Sequence, residues 1–542
     1  MTAIHTGGRS WRLWRAGWLL AVIGIFAYGA YVRFVLPQWP LIAPDSYAYM
    51  LPVVNGGVYN IGPRTFVYPM FCRFVINGAA DWRALTLTQH VLGLLGPALL
   101  LAGWYLAGVV IWTSRRARVA HEALGLALPL LLVPSGVYVV LEHQMLLESL
   151  NAFFQCSLAA LLCVLWLPMP PRRRLLLAGV TACLGVFMYS ANPRWGAAAP
   201  FVVALAVAAA ITGRDPGRSW FRAAWPVLVC AIAAYFGLAQ VQLRLVTQDP
   251  WLGTFTAKHL LWMHADLAVN EWRRDLATTP LPAYADLLHK MIPKVEKEIV
   301  GFGTSHWSTL TFNANALLYV EGCPDADLAA YFKGNPDGYT RFCLRYYARI
   351  VWHQPVAYFS VVWRMLYYYY GGESGDGAFR EIAAPISDSL PAGAPVARYV
   401  AGWAVPGQRA RLEAAASEME RKVTPPVSFT PPAWLMTTVV RLRFWFPLVT
   451  LAGVASAGVI WWQPRLRRRR ELALPALLCL VSVSILFLQV LTLAMITVTE
   501  GRYSDALRTL AVFSLVCALA TVSVLAADRM ARPRIARDAR KI

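Results

Sequence analysis

Residues 473–497 read ALPALLCLVSVSILFLQVLTLAMIT and contain no charged side chain. A run of about 20 apolar residues can cross the roughly 30 Å hydrocarbon core of a membrane as a helix. In lipid the backbone must satisfy its own hydrogen bonds, so such a run is expected to be helical. Similar runs recur along the 542-residue chain, which is 58% hydrophobic and only 15% charged. Soluble domains have about 25% charged residues. The sequence therefore predicts a polytopic, all-α membrane protein.

Hydropathy predicts about ten transmembrane helices. The first is too long for the apolar core of a signal peptide, and more spans follow, so we interpret it as a retained anchor. The chain then divides into an N-terminal transmembrane module (1–245), a mainly helical outer domain (246–433) inserted before the last three helices, and C-terminal helices with a basic tail (434–542). The predicted spans are 16–36, 86–112, 121–141, 145–168, 174–190, 197–213, 223–245, 434–462, 473–497 and 507–527.

The net charge of +21 is concentrated in short clusters between the apolar runs. With the N-terminus in the cytoplasm, every cluster falls on the cytoplasmic side, which is the positive-inside pattern. No basic stripe is interleaved with base-stacking aromatic residues, so the charge does not indicate nucleic acid. We expect a multi-pass protein of the cell inner (cytoplasmic) membrane with both termini cytoplasmic. The clusters are Arg9, Arg12 and Arg15; Arg115, Arg116 and Arg118; Arg172 to Arg174; Arg214, Arg218 and Arg222; Arg465 and Arg467 to Arg470; and the tail from Arg529 to Lys541.

The same count places five segments outside the membrane, of which 246–433 is the longest. Its amphipathic runs and turn signals predict a folded, mainly helical domain. Within it, 353–370 is apolar and aromatic but carries Arg364, so we expect a helix lying on the outer leaflet rather than a span. The outer segments are 37–85, 142–144, 191–196, 246–433 and 498–506.

Two cysteines of the outer domain, Cys323 and Cys343, are predicted to form a disulfide. Disulfides persist outside the cytoplasm. This bond would close a loop of about 20 residues, which contributes roughly 3 kcal/mol in the chain-entropy model. Two unpaired thiols are the alternative. The chain has no C-x-x-C pair that would indicate a structural zinc site.

The first outer segment contains two polar motifs. Ala43-Pro-Asp-Ser-Tyr-Ala-Tyr49 includes Asp45, and Pro63-Arg-Thr-Phe-Val-Tyr-Pro69 includes Arg64 and Tyr68. Taken singly, these are an acidic loop residue and a helix that starts with proline. An acid at the membrane surface, followed by an arginine and a Tyr-Pro on the same side, nevertheless indicates a site.

A third motif, Leu141-Glu-His-Gln-Met-Leu-Leu-Glu-Ser-Leu150, lies around the next outer turn. Glu142 and His143 fall in the turn, and Glu148 falls at the start of the fourth span. An ionisable residue within a span is costly and is by default a functional candidate. A hydrogen-bonded or snorkelling Glu is the alternative.

Two further outer turns carry arginines against the positive-inside trend. Tyr189-Ser-Ala-Asn-Pro-Arg-Trp195 includes Asn192 and Arg194, and Thr499-Glu-Gly-Arg-Tyr-Ser-Asp505 includes Arg502 and Tyr503. A guanidinium group can bind two phosphate oxygens at once, although an interfacial anchor explains either arginine equally well. Together the motifs predict an outer-surface site that handles a phosphate-bearing lipid and takes a proton.

These motifs resemble those of the GT-C glycosyltransferases, in particular the bacterial branch related to protein O-mannosyltransferases and lipid A aminoarabinose transferases. Pro44-Asp-Ser-Tyr47 matches the acidic motif of the first outer loop in that class. Arg64-Thr-Phe-Val-Tyr-Pro69 resembles its "R-x-P-x-Y-P" signature, with Thr-Phe where Pro is usual. Leu147-Glu-Ser-Leu150 resembles "T/S-E-x-L", Arg502-Tyr503 resembles "R-Y", and His353-Gln-Pro355 resembles an "H-P" before an interfacial helix, with Gln inserted. The resemblance hardly extends to the outer domain.

The resemblance implies that the N-terminal module is catalytic and transfers a sugar with inversion from a polyprenyl phosphate. Asp45 would be the general base for the acceptor hydroxyl. Glu148, with Glu142 as the alternate, would orient the acceptor or hold a metal. The implied residues for the donor phosphate are Arg64, Arg194, Arg502 and Tyr503, and those for substrate are Tyr68, His143 and Asn192.

The same resemblance implies the partners. They are a polyprenyl-phosphate sugar donor, a glycan, lipid or protein acceptor, and membrane lipids. A divalent cation, Mg or Mn, held through Asp45 and Glu148 is left open, because the class is divided on metal use. The sequence specifies neither the sugar nor the acceptor.

Three other functions stay open from the sequence. A lipid-linked polysaccharide polymerase or ligase would also use outward arginines. A transporter or flippase of lipid-linked intermediates would show discontinuous helices and inverted repeats, and no inverted repeat is apparent. A non-catalytic assembly protein is the third. The large outer stretch fits either enzyme better than it fits a transporter.

Overall fold

The computed structural model describes residues 9–36, 38, 40, 46, 49–50, 53, 66–112, 115–212, 220–241, 250–301, 310, 312–370, 409–411, 413–414, 417, 446–496 and 501–538. The regular elements in these ranges are helices, as expected for a membrane protein of this class. The first nine are α1 (Arg9–Phe34), α2 (Val67–Ala79), α3 (Arg83–Ile111), α4 (Arg115–Leu132), α5 (Gly136–His143), α6 (Glu148–Leu165), α7 (Pro171–Ala191), α8 (Ala198–Thr212) and α9 (Trp220–Val241). The others are α10 (Phe255–Trp262), α11 (Ala265–Leu276), α12 (Ala285–Gly301), α13 (Ala314–Tyr319), α14 (Pro324–Tyr331), α15 (Pro336–His353), α16 (Pro355–Tyr370), α17 (Phe446–Trp462), α18 (Pro464–Arg467), α19 (Arg470–Ile496) and α20 (Gly501–Asp538).

Six of the described helices are long and apolar enough to cross a membrane, and α4 with α5 makes a seventh if the bent pair is one span. Helices α8, α9 and α17 offer shorter apolar stretches. The chain is therefore a multi-pass helical membrane protein. The count of ten spans and the orientation of the termini stay predictions. The six are Ser10–Phe34, Arg83–Ile111, Glu148–Leu165, Pro171–Ala191, Arg470–Ile496 and Leu507–Ala526.

The predicted span 121–141 is not one straight helix. Helices α4 and α5 are bent by 47° at the break between Leu132 and Gly136. Pro134 lies in this break; a proline lacks the N–H that a continuing helix needs, and its ring crowds the preceding turn. The break frees backbone carbonyl groups, which need another donor where no water is present.

Arg33, near the end of α1, supplies that donor. Its Nη1 donates to the carbonyl oxygen of Val133 at 2.6 Å and to that of Gly29 at 3.1 Å. Its Nε and Nη2 donate to the two carboxylate oxygens of Glu142 on α5, both at 2.7 Å. His90 Nδ1 on α3 lies 2.7 Å from the same carboxylate. All three side chains are buried, and this Arg33 cluster (Arg33, Glu142 and His90) joins the first span to the bent pair.

Small residues allow the main spans to pack closely. Helix α3 packs along α6, and a Cβ atom added at Gly103 would lie 2.8 Å from the carbonyl oxygen of Ala160 and 2.9 Å from its Cα. Helix α17 meets α20 in the same way, because a Cβ at Gly453 would lie 2.9 Å from the Cα of Ala518. Such contacts are typical of membrane helices, where close packing replaces the hydrophobic effect between helices.

Replacing Gly103 by Ala is therefore expected to destabilise the protein by about 1–3 kcal/mol, the usual cost of overpacking. The obstacle is the backbone of Ala160, which cannot rotate away as a flexible side chain can. Gly179→Ala on α7 is the matched control, because nothing lies within 4 Å of its added Cβ. Thermal unfolding of the purified protein in detergent measures both variants. Equal melting temperatures for the two variants would show that this helix contact is not tight.

The described part of the outer stretch is helical, as predicted. Trp262, Trp272 and Tyr346 are fully buried in its core. Asp325 is buried beside them and accepts hydrogen bonds from Trp262 Nε1 at 2.7 Å and from the Tyr339 hydroxyl. These helices therefore share one hydrophobic core with the spans and hold a hydrogen-bonded acid within it.

The predicted disulfide between Cys323 and Cys343 is wrong, because both are free, buried thiols. Cys323 stands just before α14, whereas Cys343 lies on α15 and forms a side-chain hydrogen bond with Tyr339. Burial raises the pKa of both thiols above the usual value. Neither is therefore a reactive thiolate.

The His353-Gln354-Pro355 motif forms the turn between α15 and α16, so the helix predicted at 353–370 begins at Pro355. His353 Nδ1 lies 2.8 Å from one carboxylate oxygen of Glu271, and Gln354 Nε2 donates to the other at 2.9 Å. Arg349 also donates to Glu271, at 3.2 Å. The buried acid thus holds both polar residues of the motif and sets the direction in which α16 leaves.

Helix α16 packs one face against α19 and leaves an apolar face open. On that face Val356, Phe359, Trp363 and Tyr367 recur at helical spacing and are 57–85% exposed. Trp and Tyr favour the membrane interface. The open face therefore supports the prediction of a helix on the outer leaflet, which stays a prediction.

Candidate functional site

A polar cleft opens at one end of the bundle, where α6 and α20 begin and α7 and α19 end. It is partly open to the surface, and the roughly 300 Å³ of empty space in and around it includes open solvent. The site combines residues from four separate parts of the chain. Its lining consists of Glu148 and Asn151 from α6, Asn192, Arg194 and Trp195 from the turn after α7, Gln489 and Leu493 from α19, and Leu507 from α20.

Glu148 and Arg194 give the cleft its charges. Glu148 lies in the first turn of α6, where the partial positive charge of the helix end favours an acid. Its Oε1 is 3.8 Å from Arg194 Nη1, a long and loose ion pair. The Arg194 side chain is 26% exposed. Asn192 Oδ1 accepts a hydrogen bond from the Arg194 backbone N–H at 3.0 Å, which orders the turn.

Three side-chain amides line the same cleft. Trp195 Nε1 donates to Asn151 Oδ1 at 2.6 Å, which holds the turn against α6. The oxygens of Asn151 and Asn192 are engaged in this way, so the N–H groups of these amides are their remaining hydrogen-bond donors. Gln489 also lines the cleft, and its Oε1 is buried and has no hydrogen-bond partner among the described residues.

The cleft lies at the opposite end of two spans from basic clusters. Helix α7 begins beside Arg172 to Arg174 and reaches the cleft after 21 residues, a rise of about 30 Å. Helix α19 begins at Arg470 and runs 27 residues toward the cleft. The polar site and these arginines are therefore separated by the thickness of a membrane.

Two predicted site residues, Asp45 and Arg64, lie outside the described residues. Arg502 and Tyr503 lie in the first turn of α20, but the description does not extend to their side chains. Leu507, which lines the cleft, is little more than one helical turn further along α20. The backbone of the fourth motif is thus beside the cleft.

Ser46, the residue after Asp45, is held in place by a hydrogen bond. Ser46 is fully buried, and its Oγ donates to the carbonyl oxygen of Met145 at 2.9 Å. Met145 belongs to the short connection that leads into α6 and Glu148. The chain at Ser46 is therefore attached beside the helix that supplies the acid of the cleft.

Three other predicted site residues are buried and are not among the residues that line the cleft. Glu142 is consumed by the Arg33 cluster, because the bend in the span carries it inward instead of to an open turn. His143 has no exposed surface, and its ring lies 4.5 Å from that of His90. Tyr68 is also fully buried, and its hydroxyl donates to Gln89 at 2.7 Å. Their assignment to substrate or catalysis stays a prediction.

Three residues of the cleft were missed from the sequence. Gln489 sits inside an apolar run, where an isolated amide is the one signal for a hydrogen bond between helices or to a ligand. Asn151 follows Glu148 by three residues, so the two share a helix face. Trp195 belongs to the quoted motif, but its role in holding the turn follows only from the structure.

Among the described residues, no group of three or more His, Cys, Asp or Glu side chains is placed to hold a metal ion. Glu148 contributes a carboxylate to the cleft. A Mg or Mn ion held jointly by Asp45 and Glu148 stays a prediction.

The outer stretch approaches the cleft through α10, which packs against α19. Burial lowers the pKa of His259 on α10 to about 4, and the charges of Lys258 and Arg194 act in the same direction. His259 is therefore neutral near pH 7, and its Nε2 pairs with the Tyr319 hydroxyl at 2.9 Å. Through its contact with α19, helix α10 therefore lies near the helix that supplies Gln489 and Leu493 to the cleft.

The fold and the cleft define a multi-pass helical membrane protein with a polar site at one end of its bundle. Comparisons of the chain with protein-family models, with curated proteins and with solved structures gave no significant match. The likeness to GT-C enzymes rests on the sequence motifs alone.

Proposed function

We propose that the protein is a GT-C-type inverting glycosyltransferase. It moves a sugar from a polyprenyl-phosphate donor to an acceptor at the outer face of the cytoplasmic membrane. The cleft carries this proposal, because it unites Glu148 with Asn192 and Arg194 although they belong to different motifs. The motif that contains Arg502 begins the helix that closes the same cleft.

The charges of the cleft suit this chemistry. Arg194 can stabilise the negative charge that develops on a lipid phosphate as it leaves. Its loose contact with Glu148, at 3.8 Å, leaves space for a ligand to replace the ion pair. Glu148 then orients the acceptor, while Asp45 takes the proton of the acceptor hydroxyl. In an inverting reaction the base and the leaving group act on opposite faces of the sugar ring.

The positions of the basic clusters and of the cleft, at opposite ends of α7 and α19, support the same function. The basic clusters at the starts of α7 and α19 belong in the cytoplasm by the positive-inside rule. The cleft lies at the other ends of these helices. Lipid-linked sugars and their acceptors meet at this face once the donor has been flipped outward.

Mass spectrometry of the surface glycans, lipids and proteins of a deletion strain tests the proposal. One sugar is expected to be missing from one class of surface molecule, and its polyprenyl-phosphate form is expected to accumulate. Loss of a whole polymer would favour a polymerase or ligase. Accumulation of a lipid-linked intermediate on the cytoplasmic side would favour a flippase. An unchanged envelope would contradict the enzyme.

Arg502→Lys is expected to raise the apparent KM for the donor about tenfold while kcat changes little. Lysine keeps the charge but loses the planar fork that binds two phosphate oxygens. A hydrogen bond to a charged group contributes about 1.5–3 kcal/mol, which is tenfold or more in affinity. Arg465→Lys in an exposed basic cluster is the control and should be normal. Normal donor kinetics for Arg502→Lys would remove the phosphate role.

A further inference from the structure

The cleft has a hydrogen-bonding group that neither the fold nor the Arg194–Glu148 pair uses. Gln489 lines the cleft and is only 2% exposed, and its Oε1 has no partner among the described residues. Its neighbours on the same helix, Leu486, Val490 and Leu493, are buried and apolar. A buried amide oxygen without a donor destabilises a protein. An apolar side chain would serve the fold better here, so Gln489 points to a donor group on another molecule.

The other amides of the cleft supply the complementary groups. The oxygens of Asn151 and Asn192 are engaged by Trp195 and by the Arg194 backbone, so both residues offer N–H groups. An amide oxygen without a described partner and two asparagines whose oxygens are engaged thus belong to residues that line the same cleft. A phosphate can only accept hydrogen bonds at these groups, and an ammonium group can only donate. A hydroxyl group does both.

We propose that Gln489 recognises a hydroxyl group of the transferred sugar, with Asn151 and Asn192 donating to neighbouring oxygens of the same ring. This inference rests on the proposed function and deepens it. The substrate class is a neutral sugar with free adjacent hydroxyl groups, held at the Gln489 side while its phosphate faces Arg194. Gln489 is accordingly a residue that determines sugar specificity and takes no part in the proton transfer.

Ligand-induced thermal stabilisation of the purified protein in lipid nanodiscs tests this inference. The probes are bare polyprenyl phosphate, polyprenyl phosphates that carry mannose, glucose or arabinose, and the methyl glycosides of the same sugars. The shift in melting temperature at known concentrations gives each affinity. Two variants, Gln489→Leu and Gln489→Met, each replace the amide by an apolar side chain.

The matched control is Gln155→Leu. Gln155 is also fully buried and its Nε2 also lacks a partner among the described residues, but it does not line the cleft. Its Oε1 accepts from the Leu510 backbone N–H at 3.3 Å. The control therefore removes a comparable amide from the same region without touching the proposed site.

Gln489→Leu is expected to weaken binding of at least one sugar-bearing donor about tenfold, which corresponds to about 1.4 kcal/mol, and to leave bare polyprenyl phosphate unchanged. The ligand-free variant should be at least as stable as the wild type, because the unpaired oxygen is gone. Gln155→Leu should bind every probe normally. A structural glutamine would show the reverse, with lower stability and unchanged selectivity.

Several results would overturn the inference. They are equal weakening of sugar-bearing and bare lipids, no weakening, or failure of both Gln489 variants to fold. If no polyprenyl phosphate binds the wild type, the proposed donor is wrong. Methyl glycosides that stabilise the wild type but not Gln489→Leu would then still support sugar recognition. Failure of the glycosides as well would overturn both ideas.

Discussion

An Asp45→Asn protein is expected to lose more than about 100-fold in sugar transfer while it still inserts and binds donor. Asparagine keeps the shape of the side chain but cannot take a proton from the acceptor. The factor is the lower end of what general-base catalysis contributes. The measurement is restoration of the missing surface sugar in a deletion strain, followed by mass spectrometry. It gives the loss of transfer even when the donor has not been identified.

The position of Asp45 explains why this effect should be large. It follows the predicted first span by about nine residues, so at roughly 3.3 Å per residue the chain stays near the membrane plane. The next residue, Ser46, is held at Met145 in the connection before α6. The phosphate of a lipid-linked donor lies at the same plane, within reach of the cleft.

The alternative is that Asp45 only caps a helix, in which case Asn would serve nearly as well. Asp81→Asn is the control in the same predicted outer segment, because Asp81 bonds to Arg83 at 2.8 Å at the surface. That variant should transfer normally. A well-expressed Asp45→Asn protein with near-normal transfer would remove the base and much of the case for an enzyme.

The second large effect concerns stability. Arg33→Met is expected to destabilise the protein by about 3–5 kcal/mol, because it leaves Glu142 as a buried charge with only His90 beside it. It also removes the donor from the Val133 carbonyl group at the bend. Thermal unfolding in detergent measures the loss. A variant as stable as the wild type would show that the cluster does not hold the bend.

A double variant separates the charge from the packing. Arg33→Met combined with Glu142→Leu should recover most of the loss, because no buried charge remains. The four proteins of the double-mutant cycle give the coupling energy directly. A double variant no better than Arg33→Met alone would mean that the lost backbone bonds dominate. None of these residues lines the cleft, so donor binding by the folded protein should be unchanged.

The helices of the bundle were predictable because hydropathy is a local property. The run 473–497 became α19 with ends shifted by a few residues. The bend within 121–141 was not predicted, although Pro134 lies within that span. Its geometry depends on Arg33, whose partner lies 109 residues away along the chain. A sliding window along the sequence cannot show such a pair.

The site was predictable to the extent that sidedness groups polar residues. Glu148, Asn192 and Arg194 do share one cleft. In the sequence, Glu142 and Glu148 are equally good candidates for an acid at the outer surface. They differ in the structure because Arg33, a buried arginine in a mainly apolar span, binds Glu142. The prediction of a disulfide between Cys323 and Cys343 was wrong for a related reason. Spacing along the chain does not determine where two side chains point. Gln489 was hidden by the hydrophobic residues around it.

The Arg33 cluster has a consequence for biogenesis. The first span leaves the ribosome with its guanidinium group well before Glu142 is made, 109 residues later. At about 5–20 residues per second, that interval is on the order of 5–20 s. Arg33 is next to the last residue of α1, so its side chain can remain in the headgroup region during this time. Once α5 arrives, the pair closes and draws the arginine inward. A generic signal anchor in place of α1 would lack the guanidinium group that pairs with Glu142.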